Sequence, residues 1–251
     1  MITRLRLANW NVNRPVAPSR VAAVRTAIEA VGADIIVLTE AHDALRLDFD
    51  HSLVSLPGRD GLHGPRHRWV NICSRFPLHP LPVSDPHRTV AARFDPGGGS
   101  VMLFGTVLPW KGSSWRDAEP REAFQAALRL QMDDVARLRD AFPEDDVFMA
   151  GDFNQDLCGG RYAGTAANGR LLGAHLHDAG LAAITAGEND PVRCAAPAYA
   201  CIDHICMPRD ACWTVDNVWC WPDSPAPLKG LSDHFGVAAD LFRTGSGRKG
   251  N

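Results

Sequence analysis

The sequence predicts a single α/β domain in which helices cover mixed β-sheets. Its 251 residues suit one large domain. Apolar strand-like segments outnumber amphipathic helices, and they occur both as hairpin-like runs and beside helices, which favours mixed sheets over an all-parallel arrangement. The composition, 45% hydrophobic and 22% charged, is that of a globular domain with a sizeable core.

The first forty residues predict a strand, a helix and a second strand. RLRLANWNV alternates apolar and polar residues, as a half-buried strand does. Val21, Val24 and Ile28 then recur at helical spacing, with Ser19 as the expected N-cap and Gly32 as the expected end of the helix. DIIVLTE is a short apolar run typical of a strand covered on both faces.

The rest of the chain adds strands and two further helices. Strands are predicted at WVNIC, TVAARF, SVMLFGTVL, VFMAGDFN, CIDHICM, TVDNVWCW and FGVAADLF. One long helix should follow Pro120 and stop before Pro143, and RLLGAHLHDAGL should form another. We expect residues 1–243 to form one domain and residues 244–251, GSGRKGN with the preceding threonine, to form a flexible tail.

Charge and cysteine content narrow the classes of function. Lys and Arg number 26 against 29 Asp and Glu, so there is no global basic field for a long polyanion. The N-terminus lacks an apolar signal segment, and no apolar run approaches the ~18 residues that span a bilayer, which predicts a cytoplasmic protein. The seven cysteines include no CxxC pair and are expected to be reduced. Nothing in the sequence indicates an obligate protein partner. A zinc site is disfavoured by wide spacing of its candidate ligands, His175, His177, Cys194 and Cys201.

Polar residues recur where the apolar strands end. Three strands end in Asn9-Trp10-Asn11, in Thr39-Glu40 and in Asp152 with Asn154, and two later strands carry Asp203-His204 and Asp233-His234. Taken singly, an Asn or Asp at such a position usually hydrogen-bonds its own backbone in a turn, and His204 is expected to be a structural histidine. Five such coincidences together predict one acidic, amide-rich pocket at a common edge of the sheets.

The chemistry of this pocket suits phosphate-ester hydrolysis. Glu40, Asp233 and Asn11 offer the oxygen ligands that Mg²⁺ or Mn²⁺ accepts. His234 is the candidate general base, and Asp203 would fix its tautomer. Asp152 and Asn154 would then position the nucleophilic water and a phosphate oxygen.

These motifs resemble the endonuclease/exonuclease/phosphatase superfamily, which has a fold like that of pancreatic deoxyribonuclease. The resemblance runs in order through NWNVN, VLTE, SRFPL, GDFN, IDHI and LSDHFGV, of which GDFN and SDH are the specific motifs. It implies a four-layer α/β sandwich of two mixed β-sheets packed face to face and flanked by helices. It also implies a divalent-metal-dependent phosphoesterase with Glu40 as a metal ligand, Asn11 and Asp233 beside it, and the roles above for the other residues.

The chain departs from the family pattern at one position. Many members carry a Thr-His pair at the end of the central strand, whose histidine contacts the scissile phosphate, whereas here Val107 follows Thr106. Trp110 and Lys111 come next, and an indole N–H or an ammonium could donate to phosphate in its place.

The sequence leaves the substrate open. A phosphodiesterase or nuclease acting on DNA or RNA is favoured, a phosphomonoesterase on a small or lipid phosphate is the alternative, and a degenerate phospho-ligand or partner-binding module is a third reading. A basic patch could hold nucleic acid, with Trp69, Trp110 and Trp115 available for base stacking, but scattered solvated arginines and core tryptophans explain the same residues at least as well. Its candidates are Arg14, Arg20, Arg66, His67, Arg68, Arg75, Lys111, Arg116 and Arg121.

Overall fold

Two six-stranded mixed sheets form the centre of the fold. The computed structural model describes residues 2–58, 64–159, 162–209, 213–223 and 230–244. In the first sheet the strand order is β11-β12-β1-β2-β4-β3, and in the second it is β5-β6-β7-β8-β10-β9. Each sheet is antiparallel except for one parallel pair, β1 with β2 and β7 with β8.

The elements follow the chain in this order. The strands are β1 (Ile2–Asn11), β2 (Ile35–His42), β3 (His51–Val54), β4 (His67–Ser74), β5 (His79–Leu81), β6 (Thr89–Phe94), β7 (Val101–Val107), β8 (Asp146–Asp152), β9 (Leu181–Ala183), β10 (Asp203–Pro208), β11 (Trp213–Trp221) and β12 (Gly236–Thr244). The helices are α1 (Pro18–Val31), α2 (Pro120–Ala141), α3 (Ala166–Asp178) and α4 (Pro191–Ala195), with a 3₁₀ turn at Gly187–Asn189.

Four layers result from the alternation of side chains along the strands. Leu5 and Leu7 of β1 pack between the sheets, while Ala8 and Trp10 of the same strand pack outward beneath α1. On the second sheet, apolar residues of β7 and β8 pack outward beneath α2 and α3. This helix–sheet–sheet–helix arrangement confirms the predicted four-layer sandwich.

Helix α1 begins differently from the sequence prediction. Ser19 lies inside the helix, the N-cap is Ala17, and no side chain caps that end. Pro18 instead starts the helix, because a proline has no N–H to leave unsatisfied in the first turn. Gly32 ends it in the left-handed conformation (φ 62°), as predicted.

Three short strands and one short helix were not predicted. Strands β3, β5 and β9 have four, three and three residues, and helix α4 has five. Strands β3 and β5 lie at sheet edges and are largely exposed, so they carry little apolar periodicity. The predicted tail lies outside the described residues beyond Thr244, which still belongs to β12.

No helix among the described residues is both long and apolar enough to cross a bilayer. The four residues considered for zinc do not gather in the described part of the chain, where the single group of His, Cys and acidic side chains close enough to share a metal ion is Asp152, Asp203 and His234.

Candidate active site

Side chains alternate between the two faces along a strand, and in three strands this alternation places polar end residues in the space between the sheets. Leu5 and Leu7 point inward on β1, so Asn9 and Asn11 point inward too. By the same alternation, Asp152 follows inward-facing Ala150 on β8, and Asp203 precedes inward-facing Ile205 on β10. His204 points to the opposite face, where it contacts Thr185 and the backbone of Gln155, which confirms the structural role expected for it.

Asn9 ties the two sheets together directly below these groups. Its side-chain amide donates to the backbone oxygen of Gly151 at 2.8 Å, so β1 of one sheet is bonded to β8 of the other. Gly151 has φ 151°, and a Cβ there would lie 1.9 Å from the backbone oxygen of Thr106. A glycine is therefore required where β8 passes β7 at the floor of the site.

His234 and Asp203 form a short, buried pair. Nδ1 of His234 lies 2.6 Å from Oδ2 of Asp203, and the two side chains are 15% and 3% exposed. The backbone of His234 is also fixed, because its oxygen accepts from the Trp10 indole at 2.8 Å and its N–H donates to the Ser232 hydroxyl at 3.2 Å. Since Nδ1 faces the carboxylate, Nε2 is the nitrogen left to meet a water or a substrate.

The carboxylates set the protonation of this pair. Burial lowers the pKa of His234, but the charge of Asp203 and its hydrogen bond outweigh that effect and raise the pKa to about 10. Burial raises the pKa of Asp203, although the His234 charge opposes the rise. His234 is thus held as an imidazolium by its acidic neighbours when no other cation is near.

Asp152 is the centre of a network of amide donors. Its Oδ2 accepts from the side-chain amides of Asn11 and Asn154, both at 3.0 Å, and its Oδ1 accepts from the Asn154 backbone at 2.8 Å. One of its carboxylate oxygens lies within 4.8 Å of a carboxylate oxygen of Asp203 and of a ring nitrogen of His234. Burial raises the pKa of Asp152 to about 7, and the charge of Asp203 adds to the rise.

Glu40 joins the network through Asn11. The Asn11 amide donates to Glu40 Oε1 at 3.3 Å, and the other Glu40 oxygen pairs with Arg14 at 3.0 Å. The left-handed backbone of Glu40 (φ 49°) breaks the alternation of β2 at this residue. Burial raises the pKa of Glu40, and the Arg14 charge opposes that rise.

Asp233 reaches the network through Asn13, a residue the sequence reasoning did not single out. The Asn13 side chain donates to Asp233 Oδ1 at 2.9 Å, and its backbone N–H donates to Asn11 Oδ1 at 2.9 Å. Asn11 therefore turns its amide nitrogen, not its oxygen, toward Glu40 and Asp152. Asn13 belongs to the NWNVN motif and has a left-handed backbone (φ 45°). Among residues other than glycine, asparagine is one of those that adopt this conformation most readily.

The donor set fits a hard divalent cation. Four carboxylates meet here, opposed by the charges of Arg14 and His234, and burial raises the pKa of three of them. A buried carboxylate whose charged form is disfavoured takes up a proton unless a nearby positive charge keeps it ionised, and a bound cation would supply that charge. Oxygen ligands of this type suit Mg²⁺ or Mn²⁺ better than softer metals.

The two predicted phosphate ligands after β7 lie apart from this network. The Trp110 side chain is 42% exposed and Lys111 is exposed, and among the described residues no hydrogen bond or ion pair links either to the acidic cluster. Val107 is fully buried between the sheets beside Asp152, so an apolar side chain fills the position where many family members have histidine. The loop itself is held to the site, because Asn154 donates to the backbone oxygen of Leu108 at 2.9 Å.

Most of the predicted basic patch has structural partners. Arg20 donates to the backbone at Val12 and Leu231, Arg68 pairs with Asp43, and Arg75 stacks on Phe49. Trp69 and Trp115 are only 4% and 8% exposed, so the prediction that they offer open faces for stacking is wrong. Arginine side chains cover both rings, over Trp69 at 4.3 Å and over Trp115 at 4.6 Å from guanidinium carbon to ring centroid.

The sequence and the fold together identify the family. The family model described as "Endonuclease/Exonuclease/phosphatase family" matches residues 8–234, which includes every polar group of the site. The chain belongs to this family of phosphoesterases. No curated protein matches the sequence.

Solved structures share the fold at low sequence identity. The 3′ phosphatase NExo from Neisseria, bound to a product DNA hairpin, is 20% identical with a TM-score of 0.64, over 94% of this chain and 98% of that one. The human Nocturnin catalytic domain is 14% identical with a TM-score of 0.66, over 96% and 94%. TDP2 from C. elegans is 17% identical with a TM-score of 0.62, over 96% and 75%.

Proposed function

We propose that this protein is a divalent-metal-dependent phosphodiesterase that acts on a nucleic-acid substrate. The observation that carries the proposal is the gathering of Asp152, Asp203 and His234, whose ligand atoms lie within 4.8 Å of one another. The fold of NExo, whose structure holds a DNA hairpin, adds support for DNA or RNA as the substrate class.

In this mechanism His234 acts as the general base. Asp203 accepts a hydrogen bond from Nδ1–H and fixes the ring, so that Nε2 takes a proton from the attacking water. Asp152 and the Asn154 amide, which are bonded to each other, would position the water and a phosphate oxygen. Glu40, with Asn11 and Asp233 beside it, would hold a divalent cation, whose positive charge would offset charge on the phosphoryl and leaving oxygens and would lower the pKa of His234.

The Trp110 indole N–H and the Lys111 ammonium are part of the proposal as donors to the scissile phosphate. Support comes from their place in the loop that leaves β7 beside Asp152, where Leu108 is bonded to both Asp152 and Asn154. Trp110→Phe and Lys111→Ala are each expected to lower kcat/KM by about tenfold, the effect of one lost charge-assisted or indole hydrogen bond. Unchanged turnover in both variants would remove these residues from the site.

The proposal includes a cytoplasmic location. Six of the seven cysteines lie in the described residues, and all six are free thiols, as in a reducing compartment.

Hydrolysis of bis(4-nitrophenyl) phosphate tests the reaction class. Turnover should require Mg²⁺ or Mn²⁺, stop with EDTA, and fall by about 10²–10⁴-fold in His234→Ala. His177→Ala, which removes an exposed histidine of α3, is the matched control and should leave the rate unchanged. Turnover that survives EDTA or His234→Ala would refute the mechanism.

A comparison of plasmid DNA with phosphomonoesters and lipid phosphates as substrates distinguishes the nuclease from a phosphomonoesterase and from a binding module without turnover. Nicking of supercoiled plasmid supports the nuclease, whereas turnover confined to phosphomonoesters or lipid phosphates supports a phosphomonoesterase. Buried Val107 in place of the usual histidine favours a degenerate binding module, which predicts no turnover of any phosphate ester.

A further inference from the structure

One cavity shares no lining residue with the catalytic cluster, which is the group of Asp152, Asp203 and His234. It has a volume of about 600 Å³, within the usual range for ligand pockets. Its walls come from the turn before β6 and from the loop before α2, and its principal side chains are Trp69, Arg88, Trp115 and Arg116.

Arg88 connects this cavity to the catalytic cluster. Its backbone oxygen accepts from Val107 N–H at 3.0 Å, and Val107 pairs with Asp152 in the parallel ladder of β7 and β8. Neighbouring strands are ~4.8 Å apart, so the backbone of Arg88 lies about 10 Å from that of Asp152. Trp69, on which the Arg88 guanidinium stacks, also lines a small pocket with Glu40, so its indole stands between the two sites.

Arg116 forms the outer part of the cavity. Its guanidinium covers the Trp115 ring and donates to the backbone oxygen of Ser84 at 2.8 Å. Its backbone is left-handed (φ 52°), which costs free energy in a residue with a side chain. Five non-glycine residues in the described chain have positive φ, and the other four, Asn13, Arg14, Glu40 and Asn154, belong to the catalytic network or flank it.

Two arginines and two aspartates line the cavity, so an anion would bind there through the donor geometry of the arginines and not through a net positive charge. Arg88, which is 7% exposed, and Arg116, which is exposed, carry planar guanidinium groups, whose donor geometry matches phosphate oxygens. Asp85 also lines the cavity, but its carboxylate already accepts from the Trp115 indole at 2.8 Å and from the His87 backbone at 3.4 Å. Asp117 lies on the exposed rim.

We propose that this cavity binds a second phosphate of the substrate, next to the scissile one. The inference rests on the proposed function, because it assumes that the scissile phosphate lies at His234. The second phosphate is either the neighbouring phosphodiester of a nucleic-acid strand or a further phosphate of a small polyphosphorylated molecule, and both offer the same oxygen acceptors. Either way, the preferred substrate carries at least two phosphates.

Binding by the full-length His234→Ala protein with Mg²⁺ tests the cavity without requiring turnover. Fluorescence anisotropy with labelled dT10 measures one source, and competition by inorganic tripolyphosphate measures the other. Arg116→Ala and Arg88→Lys in this background are each expected to raise Kd by about tenfold or more, the value of one charge-assisted hydrogen bond. Arg129→Ala, which removes an exposed arginine of α2, is the control for loss of charge and should leave Kd unchanged.

Salt dependence separates a phosphate contact from a structural effect. For a single strand, each lost phosphate contact reduces the slope of log K against log salt by about 0.7. A reduced slope with dT10 supports the strand, and a loss confined to tripolyphosphate supports the small molecule. If neither probe binds, or if both arginine variants fold and bind like their parent, the inference fails. Failure of the ester assay would instead refute the proposed reaction and leave this binding result standing.

Discussion

Replacing Asp203 with asparagine is expected to separate the activity of the protein from its stability. Asparagine is nearly isosteric with aspartate, so it fills the same buried space. Its amide can donate a proton to Nδ1 of His234, whereas the carboxylate accepts one from it. The imidazole would then carry its proton on Nε2, where it cannot accept one from water.

The size of the loss follows from the role of His234. A positioned general base is worth about 10²–10⁴ in rate, so Asp203→Asn should lower kcat/KM by that factor, or by about 2.7–5.5 kcal/mol in activation free energy. The stability effect should be smaller, below about 2 kcal/mol, because burial already disfavours the charged form of Asp203 and the amide keeps one hydrogen bond.

Kinetics and urea unfolding on the same preparations check both parts. Asp203→Asn, His234→Ala and the double variant should show similar kcat/KM on bis(4-nitrophenyl) phosphate, since residues that act as a unit are not additive. Asp178→Asn, at an exposed position, is the control and should match the parent protein. Retention of more than about a third of the activity in Asp203→Asn, or losses that multiply in the double variant, would show that Asp203 does not act through His234.

Three further predictions concern the metal ligand, the floor of the site and acid stability. Glu40→Gln should raise the Mg²⁺ concentration for half-maximal activity by at least tenfold with little loss of stability, because burial disfavours the Glu40 charge; metal titration of the ester assay measures the shift, and an unchanged titration curve would exclude Glu40 as a ligand. Gly151→Ala should lower the free energy of unfolding by about 3 kcal/mol or more, because its Cβ meets the backbone of Thr106, whereas Gly173→Ala on α3, where a Cβ meets nothing within 4 Å, should be neutral or stabilising; urea unfolding compares them, and equal values would contradict the steric account. Burial lowers the pKa of His204 in the folded protein, so its contribution to stability is present above about pH 6.5 and is lost as pH falls, by at most about 1.4 kcal/mol per pH unit; His204→Gln should flatten this acid limb in unfolding curves from pH 5 to 8, and an unaltered limb would show that other groups cause it.

The regular part of the fold could be predicted because periodicity reports burial directly. The alternation in β1 and the apolar run of β2 gave the correct strands, and the resemblance to a known family supplied the pairing of the two sheets. Strands β3 and β5 were not predicted, because short, exposed edge strands bury too little apolar surface to show an alternation of apolar and polar residues. The start of α1 was misplaced because Ser19 is a good cap in isolation, while Pro18 sets the first turn.

The candidate site was predicted as a set of residues more fully than as a set of contacts. Strand-end motifs identified Asp203 and His234, and the structure brings them to 2.6 Å. Sequence could not show that Asn11 turns its nitrogen to the carboxylates, because that orientation depends on Asn13. Nor could it show Arg88, which looks like an ordinary arginine before a strand and becomes notable only when β6 is placed beside β7.

Anomalous diffraction from a crystal grown with Mn²⁺ and phosphate shows whether one pocket holds both the metal ligand and the catalytic base. A manganese peak is expected beside the Glu40 carboxylate, with a phosphate within hydrogen-bonding distance of His234 Nε2. A manganese ion bound elsewhere, or a phosphate out of reach of His234, would contradict this arrangement.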